Sequence, residues 1–121
     1  MLKIYRNNQF LKWQRKNKIP DQALINAIQE MENGLIDAEL GGNLFKKRIA
    51  KPGMGKRGSY RTIIASKQSI GWIFIFGFDK NELGNIDKSE LLAYKEYVNN
   101  LLFPNFTNFI KSKILHEVKN D

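Results

Sequence analysis

The chain contains no cysteine, which excludes disulfides and zinc–thiolate sites and fits a reducing cytoplasm. Histidine is nearly as scarce. His116 is the only one, and a lone histidine in a terminal segment is more often solvated or structural than catalytic. No group of His, Asp and Glu has metal-ligand spacing, and carboxylates are missing from the expected strands, so two-metal nuclease chemistry lacks its ligands. No apolar run approaches the roughly 20 residues of a membrane-spanning helix. The longest, Ile70 to Phe78, is strand-sized. The opening stretch MLKIYRNNQF lacks an apolar core of signal-peptide length, which argues against secretion.

The most informative absence is of one sign of charge. From Leu40 to Phe78 there is no Asp or Glu, while Lys46, Lys47, Arg48, Lys51, Lys56, Arg57, Arg61 and Lys67 all fall in this stretch. These eight cations equal the net charge of +8, so the rest of the 121 residues sums to zero. A field so concentrated calls for a polyanion: nucleic acid, an anionic membrane or an acidic protein.

What is present reads as one α+β domain. Leu2 to Arg6 alternates apolar and polar as a short strand, and Asn7 or Asn8 can cap a helix through Lys16. Asp21 is the expected N-cap of a second helix, with Leu24, Ile25, Ile28 and Met31 at helical spacing and Gly34 beyond its end. Asp37 to Gly42 reads as a loop, Leu44 to Ala50 as a charged strand, and Lys51 to Gly58 as a glycine-rich loop. Tyr60 to Ser66 and Gly71 to Phe78 form the next strands, with a turn at Lys67-Gln68; the second is apolar on both faces and therefore central. Asp87 to Glu90 has capping-box spacing ahead of a helix carrying Leu91, Tyr94, Val98 and Leu101. Ile114 to Val118 is a candidate terminal strand. The expected order is β-α-α-β-β-β-α, a small antiparallel sheet with helices packed on one face.

The loop Gly53-Met54-Gly55-Lys56 is not a phosphate loop. Ala50 stands where the first glycine belongs, Arg57 where Ser or Thr belongs, and a strand follows rather than a helix. What remains is Lys, Arg and Tyr on strands, which can act on RNA. The ribose 2′-OH supplies the nucleophile, and the protein stabilises charge on phosphorus and moves protons. Lys46, Lys47 and Arg48 crowd one another, and such crowding favours the neutral form of a lysine. This chemistry requires no metal, histidine or cofactor. Binding a phosphate backbone without cleaving it needs the same residues and less geometry, and on composition alone it ranks first. A clamp for an acidic protein is the third reading.

Two blocks add a resemblance. Leu40 to Ala50 followed by Pro52 to Ile64 (LGGNLFKKRIA, then PGMGKRGSYRTII), with Phe76 to Glu82 and Asn85-Ile86, resembles the RelE/HigB toxin superfamily, and most closely its HigB-like branch. The likeness covers about residues 2 to 102 and implies a RelE-like toxin domain over 1–102, with 103–121 as an extension packed on it. It implies a cytoplasmic type II toxin that enters the ribosomal A site and cuts mRNA there without metal. Its partners would be mRNA and rRNA on the ribosome and a cognate antitoxin, often of helix-turn-helix type, encoded next door. The family's cations carry over in part. Its lysines on the strand before the loop match Lys46, Lys47 and Arg48; its Gly-Tyr-Arg arginine matches Arg61, with Ser59 in place of glycine; the lysine after the last strand matches Lys80. These five are the candidate catalytic residues, and Lys51, Lys56, Arg57 and Lys67 the candidate RNA-binding ones. If Phe45 and Ile49 face the helices, Lys46 and Arg48 share the open face; if Leu44 does, Lys47 is exposed instead. Asn81 stands where ribosome-dependent members carry a second arginine, and Tyr60 and Tyr94 are the tyrosines that can replace the family's C-terminal aromatic. ParE-like relatives that poison gyrase and a non-catalytic RNA-binding module are the alternatives.

Overall fold

A computed structural model describes residues 2–51, 53, 55–79 and 86–119. Lys80 and Asn81 lie outside the described residues, as do the side chains of Lys56 and Arg57. The elements are β1 (Ile4–Asn7), α1 (Asn8–Lys16), α2 (Asp21–Glu32), β2 (Ala38–Gly41), β3 (Leu44–Lys51), β4 (Gly55–Lys67), β5 (Gly71–Asp79), α3 (Lys88–Tyr97), a π-helical turn (Val98–Leu102), α4 (Phe106–Lys111) and β6 (Leu115–Val118). The strands form one six-stranded sheet in the order β2-β3-β4-β5-β1-β6. All neighbours run antiparallel except β1 and β5.

Local chemistry sets the helix ends. The Asn7 side chain accepts the Phe10 amide at 2.8 Å and starts α1. Asp87 accepts the Glu90 amide at 2.8 Å and starts α3. After α2 the chain turns at Gly34 with φ +92°, a conformation that favours glycine. There the amides of Gly34 and Leu35 bond the Met31 and Glu30 carbonyls at 3.0 and 2.9 Å, the two bonds of a Schellman end. Asp21 does not cap α2. Pro20 holds the cap position, and the Asp21 carboxylate instead accepts Arg6 Nη1 at 2.6 Å and Gln14 Nε2 at 2.7 Å. A partly buried arginine is a better partner than two peptide N–H groups that water can reach.

The α+β class is as expected, and the architecture is richer than the expected one. Residues 38–41 form an edge strand rather than a loop, and β3 and β4 run on into the glycine segment, pairing Lys51 with Gly55. The helices cover both faces of the sheet, not one. Phe10, Leu24, Ile25 and Ile28 of α1 and α2 pack with Ile49, Tyr60, Ile64 and Phe74. Val98 and Leu102, with Tyr94, Phe103, Phe106 and Phe109, pack with Leu44, Ile63, Ala65, Ile73 and Ile75 on the other side. Neighbouring residues of each strand thus feed two different cores. This explains why β5 is apolar throughout.

One irregularity aims the second face. Between Ile63 and Ile64 the β4–β5 register shifts, with Ile63 opposite Phe76 and Ile64 opposite Phe74. Ile75 is the extra residue of a β-bulge. Past it, Phe76 and Phe78 turn to the α3 side, and Gly77 turns to α1. A Cβ on Gly77 would lie 2.3 Å from the Trp13 ring. Glycine there lets the indole lie against the strand.

Candidate nucleic-acid interface

Alternation along β3 sorts the cations by face. Phe45 and Ile49 pack toward α1 and α2, so Lys47 and Lys51 share their face while Lys46 and Arg48 point to the other. Lys47 is held tightly. Its ammonium lies 2.8 Å from Glu30 Oε1 and donates to the Leu35 carbonyl at 3.0 Å. Its side chain is 7% exposed, against 53% for Arg48 one residue on. Lys51 pairs with Asp79 and sits 5.0 Å from the Tyr60 ring centre. Tyr60 is buried against Trp13 on this same face. Lys47 and Lys51 therefore serve the α2-side layer.

On the other face Arg48 stands directly opposite Arg61, Lys46 opposite Ile63, and Arg61 opposite Phe78. By register Lys46, Arg48 and Arg61 share one face of two adjacent strands, and Arg48, at the free edge of β3, also lines a cavity with Ala23, Asn26, Ala27 and Glu30 of α2. None of the three belongs to the apolar cluster under α3 and α4. A carboxylate and a hydroxyl hold the two arginines. Asp37 accepts the Arg48 backbone amide at 2.6 Å and lies 3.6 Å from its Nε, and Arg61 Nη1 donates to Ser59 Oγ. Lys67 shares the face of Arg61 but lies six residues along β4, about 20 Å away at strand rise, with its ammonium 5.7 Å from the Phe103 ring centre.

The sequence reading missed an aromatic row beside these cations. Phe78 and Phe76 lie with centroids 5.8 Å apart, and Phe76 meets Tyr94 of α3 at 5.4 Å. Burial raises the Tyr94 hydroxyl above its ordinary value, and the nearby Glu90 charge adds to this. The bulge at Ile75 creates the row, and an unbroken apolar run gives no sign of a bulge. The aromatics could only have been suspected from their number.

Arginines opposite one another on neighbouring strands, flanked by a lysine, make a face suited to phosphates; Phe78 beside them is buried and Phe76 packs in the cluster under α3, so the aromatic row supports this face from within. Residues 2–118 match the family model of the RelE toxin of the RelE/RelB toxin–antitoxin system. The chain belongs to the RelE toxin family. No curated protein matches it. As a RelE toxin it is one half of a toxin–antitoxin pair, and an antitoxin is its cognate partner. The match runs through α4 and β6, so the last fold elements of this RelE chain fall inside the family's span. Among the described residues no helix is long and apolar enough to cross a membrane.

Proposed function

We propose that this toxin is a ribosome-dependent mRNA endoribonuclease of the HigB-like type that acts by metal-independent transesterification. The ribose 2′-OH attacks the adjacent phosphorus, the 5′-oxygen leaves, and a 2′,3′-cyclic phosphate and a free 5′-OH remain. Arg61 stabilises the charge on the pentavalent phosphorus through its planar fork of donors. Its partner is Arg48 or Lys46, one of which shares that charge or moves the proton; Lys47 faces α2 and takes no part. Lys80 adds charge from beyond β5. Lys56, Arg57 and Lys67 hold mRNA or rRNA backbone, while Lys51, paired with Asp79 on the α1/α2 face, takes no part. The cognate antitoxin is of helix-turn-helix type, and the pair works in the cytoplasm.

The observation that carries this reading is the register of Arg48 opposite Arg61 on one face. Like charges directly opposite on a sheet destabilise it, so a phosphate bridging them is the natural counterpart. The test is primer extension on mRNA after induced expression, for wild type and Arg61→Ala. Cuts in frame with codons, lost in the variant, are expected. An SOS response with intact mRNA indicates a ParE-like action on gyrase, a reading that Asn81 makes less remote. Growth without arrest in both strains indicates a module that only binds RNA.

A further inference from the structure

A second site lies on the same side of the sheet, at the far end of the aromatic row. A cavity of about 410 Å³ opens between the start of α1, the middle of β5 and α3. Ile75, Ala93 and Ile114 form apolar walls, and Tyr94, Tyr97 and Gln9 supply rings and polar groups. The other two amides there are committed: Asn7 bonds the Phe10 amide and the Ile75 carbonyl, and Asn8 bonds Lys113 and His116. The Gln9 amide and the hydroxyls of Tyr94 and Tyr97 have no hydrogen-bond partner among the described residues. Apolar walls, aromatic rings and a few uncommitted donors and acceptors are what a planar heteroaromatic with polar edges requires.

The helix that supplies Gln9 also supplies charge. Gln9, Lys12 and Lys16 recur at i, i+3 and i+7, so they share one stripe of α1, and α1 has no acidic residue. Lys12 and Lys16 are exposed and lie in no ion pair among the described residues. Lys16 also complements the C-terminal end of the helix dipole, but Lys12, a turn earlier, has no such role.

We propose that this cavity is a base-binding subsite for single-stranded RNA. One nucleobase packs on Tyr97 and Tyr94, with its edge read by Gln9, and the phosphates leaving it run along Lys12 and Lys16. Tyr94 is in contact with Phe76, which packs on Phe78 opposite Arg61, so the subsite lies on the same face as the cations. The inference rests on the proposed RNA substrate and adds to it a determinant of which nucleotide is bound beside the cleaved one.

The test is equilibrium binding of the purified toxin to a short 2′-O-methyl oligonucleotide, which has no attacking hydroxyl and cannot be cut. A second oligomer of equal length lacks one base at each position in turn. Wild type should bind the abasic oligomer about tenfold more weakly at one position, the order of magnitude of one stacked base. Tyr97→Ala should abolish that discrimination. Gln9→Ala, at an exposed position that folding does not depend on, should reduce it several-fold and shift which base is preferred. Replacing Lys12 and Lys16 by Gln should weaken both oligomers equally and flatten the salt dependence. Equal binding of the two oligomers by wild type, or discrimination that survives both Tyr97→Ala and Gln9→Ala, overturns the subsite. So does a pair of variants that weaken only the antitoxin complex, since the cavity then serves the protein partner. Loss of ribosomal cutting with base discrimination intact rejects the proposed reaction and supports the subsite.

Discussion

The two faces of this sheet carry the same kinds of residue and use them in opposite ways. The face under α1 and α2 is closed. It buries Phe10, Leu24, Ile28, Ile64 and Phe74, and it neutralises the cations that fall on it, Lys47 with Glu30 and Lys51 with Asp79. The face under α3 and α4 is closed over Tyr5, Leu44, Ile63, Ala65, Ile73, Ile75 and Leu115, and Phe78 beyond them is buried as well. Farther along the same strands, Lys46, Arg48 and Arg61 collect with Phe78 and Phe76 beside them. The lesson is one of position. Lys47, buried against Glu30, serves the fold, while Arg48 one residue on is half exposed on the opposite side of the strand.

The largest expected effect is on the half-covered face. Arg61→Ala should lower mRNA cutting on purified ribosomes about 10²- to 10³-fold, as removing one donor to a developing anion does. Its melting temperature should stay near wild type. A parallel collapse in stability would mean that Arg61 is structural and that the faces are not functionally distinct. The next effect is on the closed face. Gly77→Ala places a methyl group 2.3 Å from Trp13, and the overpacking should cost about 2–3 kcal/mol in urea unfolding. A neutral result would show that α1 is not seated on β5 as described.

Lys47→Met and Lys46→Met sharpen the contrast between adjacent lysines. Lys47→Met leaves Glu30 and the Leu35 carbonyl without their partner, so it should destabilise the fold by about 1–3 kcal/mol, with cutting unchanged. Lys46→Met should weaken RNA binding with a shallower salt dependence. Reversed phenotypes would mean that β3 is out of register by one residue. The smallest effect is at Asp21. Burial alone would raise its carboxyl, but the hydrogen bonds from Gln14 and Arg6 and the charges of Arg6 and Arg15 outweigh this and hold it below the ordinary 3.8. A carboxyl lowered in the folded state stabilises the protein above its unfolded value, and that contribution is lost as pH falls through the folded one. Asp21 is half exposed, so the term is under about 1 kcal/mol. Asp21→Asn should flatten the acid limb of stability below about pH 4, and an unchanged limb would show that Arg6 stabilises without it.

Much of this was legible from local signals. Asn7, Gly34 and Asp87 mark helix ends because capping is satisfied within a few residues, and Gly71 to Phe78 declares itself central by having no polar side. The short strand at 38–41 was not legible, since Ala38 to Gly41 gains its pairing only by lying against Leu44 to Lys46. Asp21 looked like a cap because its true partner, Arg6, is distant in sequence. At the site, Lys46, Arg48 and Arg61 were named from charge and from the resemblance, whereas Phe76, Phe78, Tyr97 and Gln9 were not, because a bulge and a helix packing bring them there.

The sequence by itself determined the charge of the central strands, the α+β class and the chemistry that was left with no cysteine, no clustered carboxylates and a single histidine. Those depend on composition and on short-range spacing. Which cation faces the open side was decided only by the tertiary structure. Side chains on a strand alternate with period two, so a shift of one residue exchanges every face. Leu44 and Phe45 are both apolar, and either could have faced α2. Glu30 reaching Lys47 from another element fixed the choice.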